Sequence, residues 1–169
     1  MSGPHLVVLG LIAAGKSTVA DRVAAELGRP VLDSDRQVEA LTGRTGGAIA
    51  EAEGVAALHE LEASVLLGAL SLPEPVVISA AASTVESARC RAALERRATV
   101  VWLDLVPEEA HRRATAQTHR RTISLAALRK LAERRRPLFV ALADLRLDAT
   151  EPIDALVGAV LAVAPPAPS

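Results

Sequence analysis

The sequence of 169 residues has a single cysteine, no tyrosine, one tryptophan and one phenylalanine. Cys90 alone excludes an internal disulfide, and no group of cysteines and histidines has the spacing of metal ligands. No run reaches the roughly 18 apolar residues of a membrane span. The net charge of −1 gives no reason to expect binding to nucleic acid or to an anionic membrane. Since no basic segment followed by an apolar one opens the chain, we expect a soluble cytoplasmic protein.

Lysine is also scarce, and one of the two lysines, Lys16, lies in the most informative segment. The segment 10–18 reads G-L-I-A-A-G-K-S-T and satisfies G-x-x-x-x-G-K-[ST], the pattern of a phosphate-binding loop. Gly10 and Gly15 allow successive backbone N–H groups to point at a phosphate. Lys16 supplies a charge for the β- and γ-phosphates, and the Ser17 hydroxyl is suited to Mg²⁺. We therefore predict that the chain binds ATP and Mg²⁺.

Short apolar segments alternate with helical ones along the chain. Strands are predicted at 5–9, 30–32, 75–79, 99–104 and 145–148, and helices at 15–27, 35–42, 54–71, 84–96, 107–116, 124–142 and 151–163. This alternation predicts an α/β fold in which helices cover both faces of a parallel sheet. The 50% apolar content suffices for one core. No linker divides the chain, so we predict a single domain over 1–163 and a disordered tail at 164–169.

Two acidic residues follow the second predicted strand, at the edge of the sheet where ligands bind in such folds. Asp33 and Asp35 are separated by one residue. A strand-to-helix turn would point them in different directions, one towards Mg²⁺ and the other towards an acceptor hydroxyl. Alternatively, Ser34 or Asp35 only caps the following helix.

The segment 33–43, D-S-D-R-Q-V-E-A-L-T-G, matches D-S-D-x-x-I-E-x-x-T-G, and the later segments V-V-W-L-D and R-R-P-L-F follow in order. These motifs resemble the shikimate kinase family over roughly residues 5–163. The resemblance implies a three-layer αβα sandwich with a five-stranded parallel sheet in the order 2-3-1-4-5 and a lid at about 114–123. It also implies ATP- and Mg²⁺-dependent transfer of the γ-phosphoryl group to a hydroxyl of a small polar metabolite.

The resemblance implies roles for individual residues. Lys16, Asp35 and Arg121 would be catalytic, and Ser17 and Asp33 would hold Mg²⁺. The implied nucleotide-binding residues are Gly10, Ala13, Ala14, Gly15, Lys16, Ser17, Thr18 and Arg113. The implied acceptor-binding residues are Asp35, His59, Ala80, Ala81, Ala82 and Arg135. Two alternatives stay open: Arg120 in place of Arg121, and an exposed helical face for the run Arg134–Arg136.

Three departures from the family pattern fall on the acceptor side. His59 replaces an arginine, Ala80–Ala82 replace three glycines, and Val55 replaces a glutamate. Imidazole does not reproduce the bidentate pairing of arginine with a carboxylate. Three methyl groups crowd the approach of a substrate and disfavour a positive φ.

The identity of the acceptor therefore remains open between several classes. Shikimate is the leading single candidate, and His59 and Ala80–Ala82 argue against it. Another polyol, cyclitol, sugar acid or amino-alcohol is the alternative, as in a gluconate-kinase-like enzyme. A nucleotide-binding protein without catalysis is the third possibility. In each case we expect a small-molecule ligand, with the protein as a monomer or weak dimer.

Overall fold

The computed structural model describes residues 4–117 and 123–166. Its sheet has five parallel strands in the order β2-β3-β1-β4-β5, which confirms the predicted topology. The strands are β1 His5–Gly10, β2 Val31–Asp33, β3 Val77–Ser79, β4 Ala98–Asp104 and β5 Leu145–Asp148. β1 lies in the centre, and every one of its residues is buried. An apolar strand of this kind is typical of a parallel sheet covered on both faces.

Helices pack on both sides of the sheet and complete the αβα sandwich. They are α1 Lys16–Leu27, α2 Ser34–Thr42, α3 Gly46–Glu53, α4 Val55–Leu70, α5 Ala88–Arg97, α6 Pro107–Thr115, α7 Leu125–Leu142 and α8 Ile153–Val163, with a short 3-10 helix at Ala82–Glu86. None of the helices within the described ranges combines the length and the apolar character needed to cross a membrane.

Two helical segments differ from the prediction. The sequence pattern did not predict α3, because two glycines open it and glycine costs about 1 kcal/mol in a helix. The Thr45 side chain starts this helix by accepting a hydrogen bond from the Ala48 amide at 3.2 Å. The predicted helix 84–96 is interrupted at Ser87, whose hydroxyl accepts from the Cys90 amide and caps α5.

The only tryptophan joins the sheet to α7. Trp102 of β4 is 3% exposed, and its ring stacks on Phe139 with the centroids 5.6 Å apart. The guanidinium groups of Arg136 and Arg146 each lie 5.1 Å from the Trp102 ring centroid. Both guanidinium groups also donate hydrogen bonds to the Asp104 carboxylate. These contacts hold α7 against β4 and turn Arg136 away from its neighbours in the arginine run.

His5 should make the stability of the fold depend on pH. Its side chain is 4% exposed, and Nδ1 accepts a hydrogen bond from the Val76 amide at 3.2 Å. Burial lowers the pKa of His5, so the unfolded chain binds a proton at higher pH than the folded one. The free energy of unfolding should therefore decrease as the pH falls below about 6.5, by up to about 1.4 kcal/mol per pH unit for this one proton.

Urea unfolding at pH 7.5, 6.5 and 5.5 measures this slope. His5→Asn keeps an oxygen that can accept from the Val76 amide, and it should make the slope shallower than in the wild type. His111→Asn is the matched control, because His111 lies on α6 away from this buried contact. Equal slopes for all three proteins would contradict the assignment.

Candidate active site

The carboxyl ends of β1, β2 and β3 open into a cavity of about 670 Å³. Residues of the loop after β1, of α4 and of α7 line this cavity. The cavity brings together most of the residues predicted for the site. Its lining includes Ala13, Gly15, Lys16, Ser17, Thr18, Asp33, Asp35, His59, Ala80, Ala81, Ala82 and Arg135. Gly10 and Ala14 lie beneath this surface, and both are buried.

The loop between β1 and α1 curls as a phosphate-binding loop requires. Gly15 has a φ of 91° and is the N-cap of α1. Among the described residues, no side chain caps this helix by accepting a hydrogen bond from its first amides. Ala13 has a φ of 60°, the one positive φ of a non-glycine residue in the described ranges. The Lys16 ammonium donates to the carbonyls of Gly10 at 3.0 Å and Leu11 at 2.9 Å. The ammonium and the open helix N-terminus thus face one concave surface suited to an anion.

Ser17 and Asp33 meet at the edge of this loop. The Ser17 hydroxyl donates to Asp33 Oδ2 at 2.5 Å, and the Ser79 hydroxyl lies 3.5 Å from the Ser17 hydroxyl. A hydroxyl beside one carboxylate fits Mg²⁺, which is usually bound by one or two protein carboxylates together with phosphate oxygens and water. In the described ranges, no group of three or more His, Cys, Asp or Glu side chains is arranged to hold a metal ion. Binding of Mg²⁺ through one carboxylate and phosphate oxygens does not require such a group.

The cap of α2 differs from the predicted alternative. The N-cap is Asp33, whose Oδ1 accepts from the Arg36 amide at 3.2 Å, and neither Ser34 nor Asp35 has this role. Asp33 therefore caps the helix with one oxygen and contacts Ser17 with the other. Asp35 lies in the first turn of α2 and faces the cavity. Asp33 is buried and Asp35 is exposed, and both line the same cavity.

On the acceptor side, one face of α4 lines the cavity with Val55, Leu58, His59 and Glu62. Glu62 was not predicted as a site residue, although its position three residues after His59 places both on this face. The Ser83 hydroxyl donates a hydrogen bond to Glu62. Burial raises the pKa of Glu62, and the nearby charge of Asp35 adds to the effect. Glu62 is thus a half-buried acid held by a neutral partner.

Arg134 and Arg135 of α7 line the same region and share Glu86, which the sequence did not indicate. Arg135 is 7% exposed and donates to Glu86 at 3.3 Å, and Arg134 pairs with the other Glu86 oxygen. Burial alone would raise the pKa of Glu86, but the hydrogen bond from Arg134 and the charge of Arg135 lower it. Arg135 Nε is buried without a hydrogen-bond partner in the described part of the chain. Arg135 therefore lines the cavity with a guanidinium group whose charge Glu86 offsets only in part.

The three alanines have no positive φ, in keeping with the expectation that their methyl groups disfavour one. Ala81 has φ −63° and ψ 140°, which any residue adopts. The Ala80 amide donates to the Val8 carbonyl at 3.1 Å and continues the sheet contact beyond β3. The three methyl groups still line the cavity and reduce the space for an acceptor.

Of the two remaining predicted arginines, Arg113 and Arg121, the structure describes only Arg113. Arg113 donates to the carbonyls of Ala13 at 3.5 Å and Ala149 at 3.2 Å and pairs with Glu109, beside the phosphate loop. It is not part of the described cavity lining. Arg121, its alternative Arg120 and the middle of the predicted lid at 114–123, residues 118–122, fall outside the described residues. Their roles stay predictions.

Comparison with known proteins identifies the family. The family model described as shikimate kinase matches residues 12–164. This chain is a member of the shikimate kinase family. It is 37% identical over 149 residues to a shikimate kinase of Symbiobacterium thermophilum, with 85% of each chain covered. Family membership makes it a phosphotransferase that uses ATP and Mg²⁺ and acts on a hydroxyl group.

Solved structures agree with this assignment. A shikimate kinase from Acinetobacter baumannii in complex with shikimate has a TM-score of 0.83 and 27% identity, and the match covers 95% of this chain and 90% of that one. A gluconokinase from Sinorhizobium meliloti has a TM-score of 0.63 at 19% identity, with 96% and 92% of the two chains covered. At that identity the likeness shows the fold alone. Sequence similarity therefore favours the shikimate kinase branch over the gluconate one.

Proposed function

We propose that this shikimate kinase family member transfers the γ-phosphoryl group of ATP to a hydroxyl of shikimate, with the residues of the cavity in the roles given below. The observation that supports this most directly is the single cavity that joins the phosphate loop to Asp35 and Arg135. A phosphate donor on the loop and a hydroxylated carboxylate between the two residues would meet there. This arrangement fits direct transfer between two bound molecules.

The donor half of the cavity would bind the triphosphate. The loop amides and the N-terminus of α1 would hold phosphate oxygens, and Lys16 would move from the loop carbonyls to the β- and γ-phosphates. Mg²⁺ held by Ser17 and Asp33 would supply neutralisation of the phosphate charge. Positioning and electrostatic stabilisation provide most of the catalysis in phosphoryl transfer.

The acceptor half would orient the hydroxyl that attacks. Asp35 would accept the hydrogen bond of this hydroxyl and take up its proton during transfer. Arg135, a cation in the lining of the cavity, would bind the carboxylate of shikimate. Ala80–Ala82 would contact the ring of the acceptor with methyl groups, which makes this part of the cavity tighter and less polar.

Asp35→Asn tests the role of the proposed base. The amide cannot take up the proton, so we expect kcat with shikimate to fall by about 10²–10⁴-fold while KM for ATP changes little. Coupled release of ADP in the presence of Mg²⁺ measures both constants. Glu39→Gln, an exposed substitution on the same helix, should retain full activity. A kcat of Asp35→Asn within twofold of the wild type would rule out this role.

The same assay with gluconate, other hydroxylated acids and amino-alcohols tests the acceptor. Turnover of another compound in place of shikimate would assign a different acceptor to the same machinery. Tight ATP binding without transfer to any compound would support the non-catalytic alternative. Turnover of shikimate in clear preference to the others supports the proposal.

We also propose that the protein acts in the cytoplasm as a monomer or weak dimer. ATP and Mg²⁺ are available there, and the single Cys90 is buried as a free thiol. The most exposed large apolar side chains of the described ranges, Leu41, Val106 and Val140, lie on different elements. Scattered apolar side chains of this kind do not form the contiguous surface of a stable dimer.

A further inference from the structure

His59 occupies a central position in the acceptor half of the cavity. It lies on the cavity face of α4, one turn before Glu62, and is half buried. The charges that act on it come from the facing helix α7 and the 3-10 helix: Arg134, Arg135 and Glu86. Burial and the charge of Arg135 lower the pKa of His59, while Glu86 opposes them. Without a ligand, the imidazole is therefore mainly neutral at pH 7.

Cationic charge is limited in the acceptor half. In the described part of the chain the cationic side chains that line the cavity are Lys16, Arg134 and Arg135. Lys16 belongs to the phosphate loop, and Glu86 pairs with both Arg134 and Arg135 and offsets part of their charge. Of the two arginines, Arg135 acts more strongly on His59, and a protonated His59 would add a further positive charge for an acceptor carboxylate.

We propose that His59 binds the carboxylate of the acceptor together with Arg135 and takes up a proton as it does so, so that the acceptor binds more tightly as the pH falls. This proposal rests on the proposed function, because it requires an anionic acceptor at Arg135. The physical reason is linkage: the incoming negative charge favours the imidazolium and offsets the repulsion from Arg135. Binding and protonation therefore strengthen each other.

The expected result is a KM for shikimate that decreases with falling pH, by up to tenfold per pH unit for one proton. The decrease should end below the pKa of His59 in the free enzyme, which lies under its ordinary value. A carboxylic acid of ordinary pKa stays ionised above about pH 5, so the acceptor's own titration does not interfere. KM for ATP should not follow this profile, because the nucleotide would bind at the other half of the cavity.

Glu62 is the main competing titratable group, since burial raises its pKa and its protonation would also favour an anion. Asp35 and Lys16 act on Glu62 from α2 and the phosphate loop. Glu62→Gln separates the two explanations, because it removes this titration and leaves His59 in place. If protonation of His59 causes the pH dependence of KM for shikimate, Glu62→Gln should show the same dependence as the wild type.

The experiment measures kcat and KM for shikimate between pH 6.0 and 8.5 in the wild type, His59→Gln, His59→Arg and Glu62→Gln. His59→Gln should show a high KM at every pH. His59→Arg, which carries a permanent charge, should show a low KM at every pH. Calorimetric titration of shikimate in two buffers of different ionisation enthalpy should show net proton uptake near pH 7 in the wild type and none in His59→Arg.

The outcomes distinguish this proposal from the proposed function. If His59→Gln keeps the wild-type slope, or if the wild-type KM does not change with pH, the role of His59 is overturned while shikimate turnover stands. If the wild type neither binds nor turns over shikimate at any pH, both proposals fail. Unfolding midpoints of the variants show whether a high KM reflects loss of the fold.

Discussion

Replacement of Lys16 by alanine is expected to reduce kcat/KM at least about 10³-fold, or roughly 4 kcal/mol of transition-state stabilisation. The ammonium lies over the phosphate loop, where it donates to the Gly10 and Leu11 carbonyls, and it is the positive charge available to the transferred group from this loop. A positive charge held in place in this way stabilises the negative charge that develops in the transition state. Release of ADP with Mg²⁺ and shikimate measures the loss.

Lys130→Ala is a matched control for this substitution. Lys130 is the second of the two lysines in the sequence and is exposed on α7. Its removal should leave kcat/KM within about twofold, and both variants should unfold at wild-type urea concentrations. A loss of less than tenfold in Lys16→Ala would show that the loop does not act as proposed.

Gly10→Ala is expected to destabilise the fold by about 1–3 kcal/mol and to impair ATP binding. A Cβ at this position would lie 2.6 Å from the Leu103 carbonyl oxygen of β4 and 3.2 Å from the Ala14 side chain. The contact involves backbone on both sides, so relief requires β1, β4 or the loop to shift. Denaturant unfolding measures the free energy, and fluorescent nucleotide titration measures the binding.

Gly68→Ala provides the comparison for this second substitution. Gly68 is exposed within α4, and a Cβ there meets nothing within 4 Å. Alanine is the better helix former by up to about 1 kcal/mol, so this variant should be as stable as the wild type or more stable. Equal destabilisation by the two substitutions would show that the close approach of Gly10 to Leu103 does not cause the loss of stability.

The sequence predicted the fold best where apolar runs were long and the glycines marked turns. All five strands appeared at the predicted places. The central strand β1 is apolar along nearly its whole length, as a buried parallel strand is, whereas the edge strand β5 alternates leucine with charged residues. The strand order came from the family resemblance and not from the pattern of residues. The α3 helix was missed because a local signal, two glycines, opposes helix formation while packing against α4 supports it.

The candidate site divides in the same way. Lys16 and Ser17 were predicted because they belong to a short sequence motif, and Asp33 was predicted because it ends a strand. Glu62 and Glu86 were not found, because their partners are remote in sequence: Ser83 lies 21 residues from Glu62, and Arg135 lies 49 residues from Glu86. Contacts of this kind depend on how helices pack, which a single sequence does not display.

The aromatic pair at the junction of β4 and α7 has an optical consequence. Trp102 is the one indole of the chain, and the chain has no tyrosine. Trp102 therefore dominates the ultraviolet fluorescence of the protein. Phe139 and Arg136, which contact this indole, belong to the same helix as Arg135. A displacement of α7 when the acceptor cavity fills would change the surroundings of a single fluorophore. The protein therefore carries an intrinsic spectroscopic reporter of events at the cavity, and no dye needs to be attached.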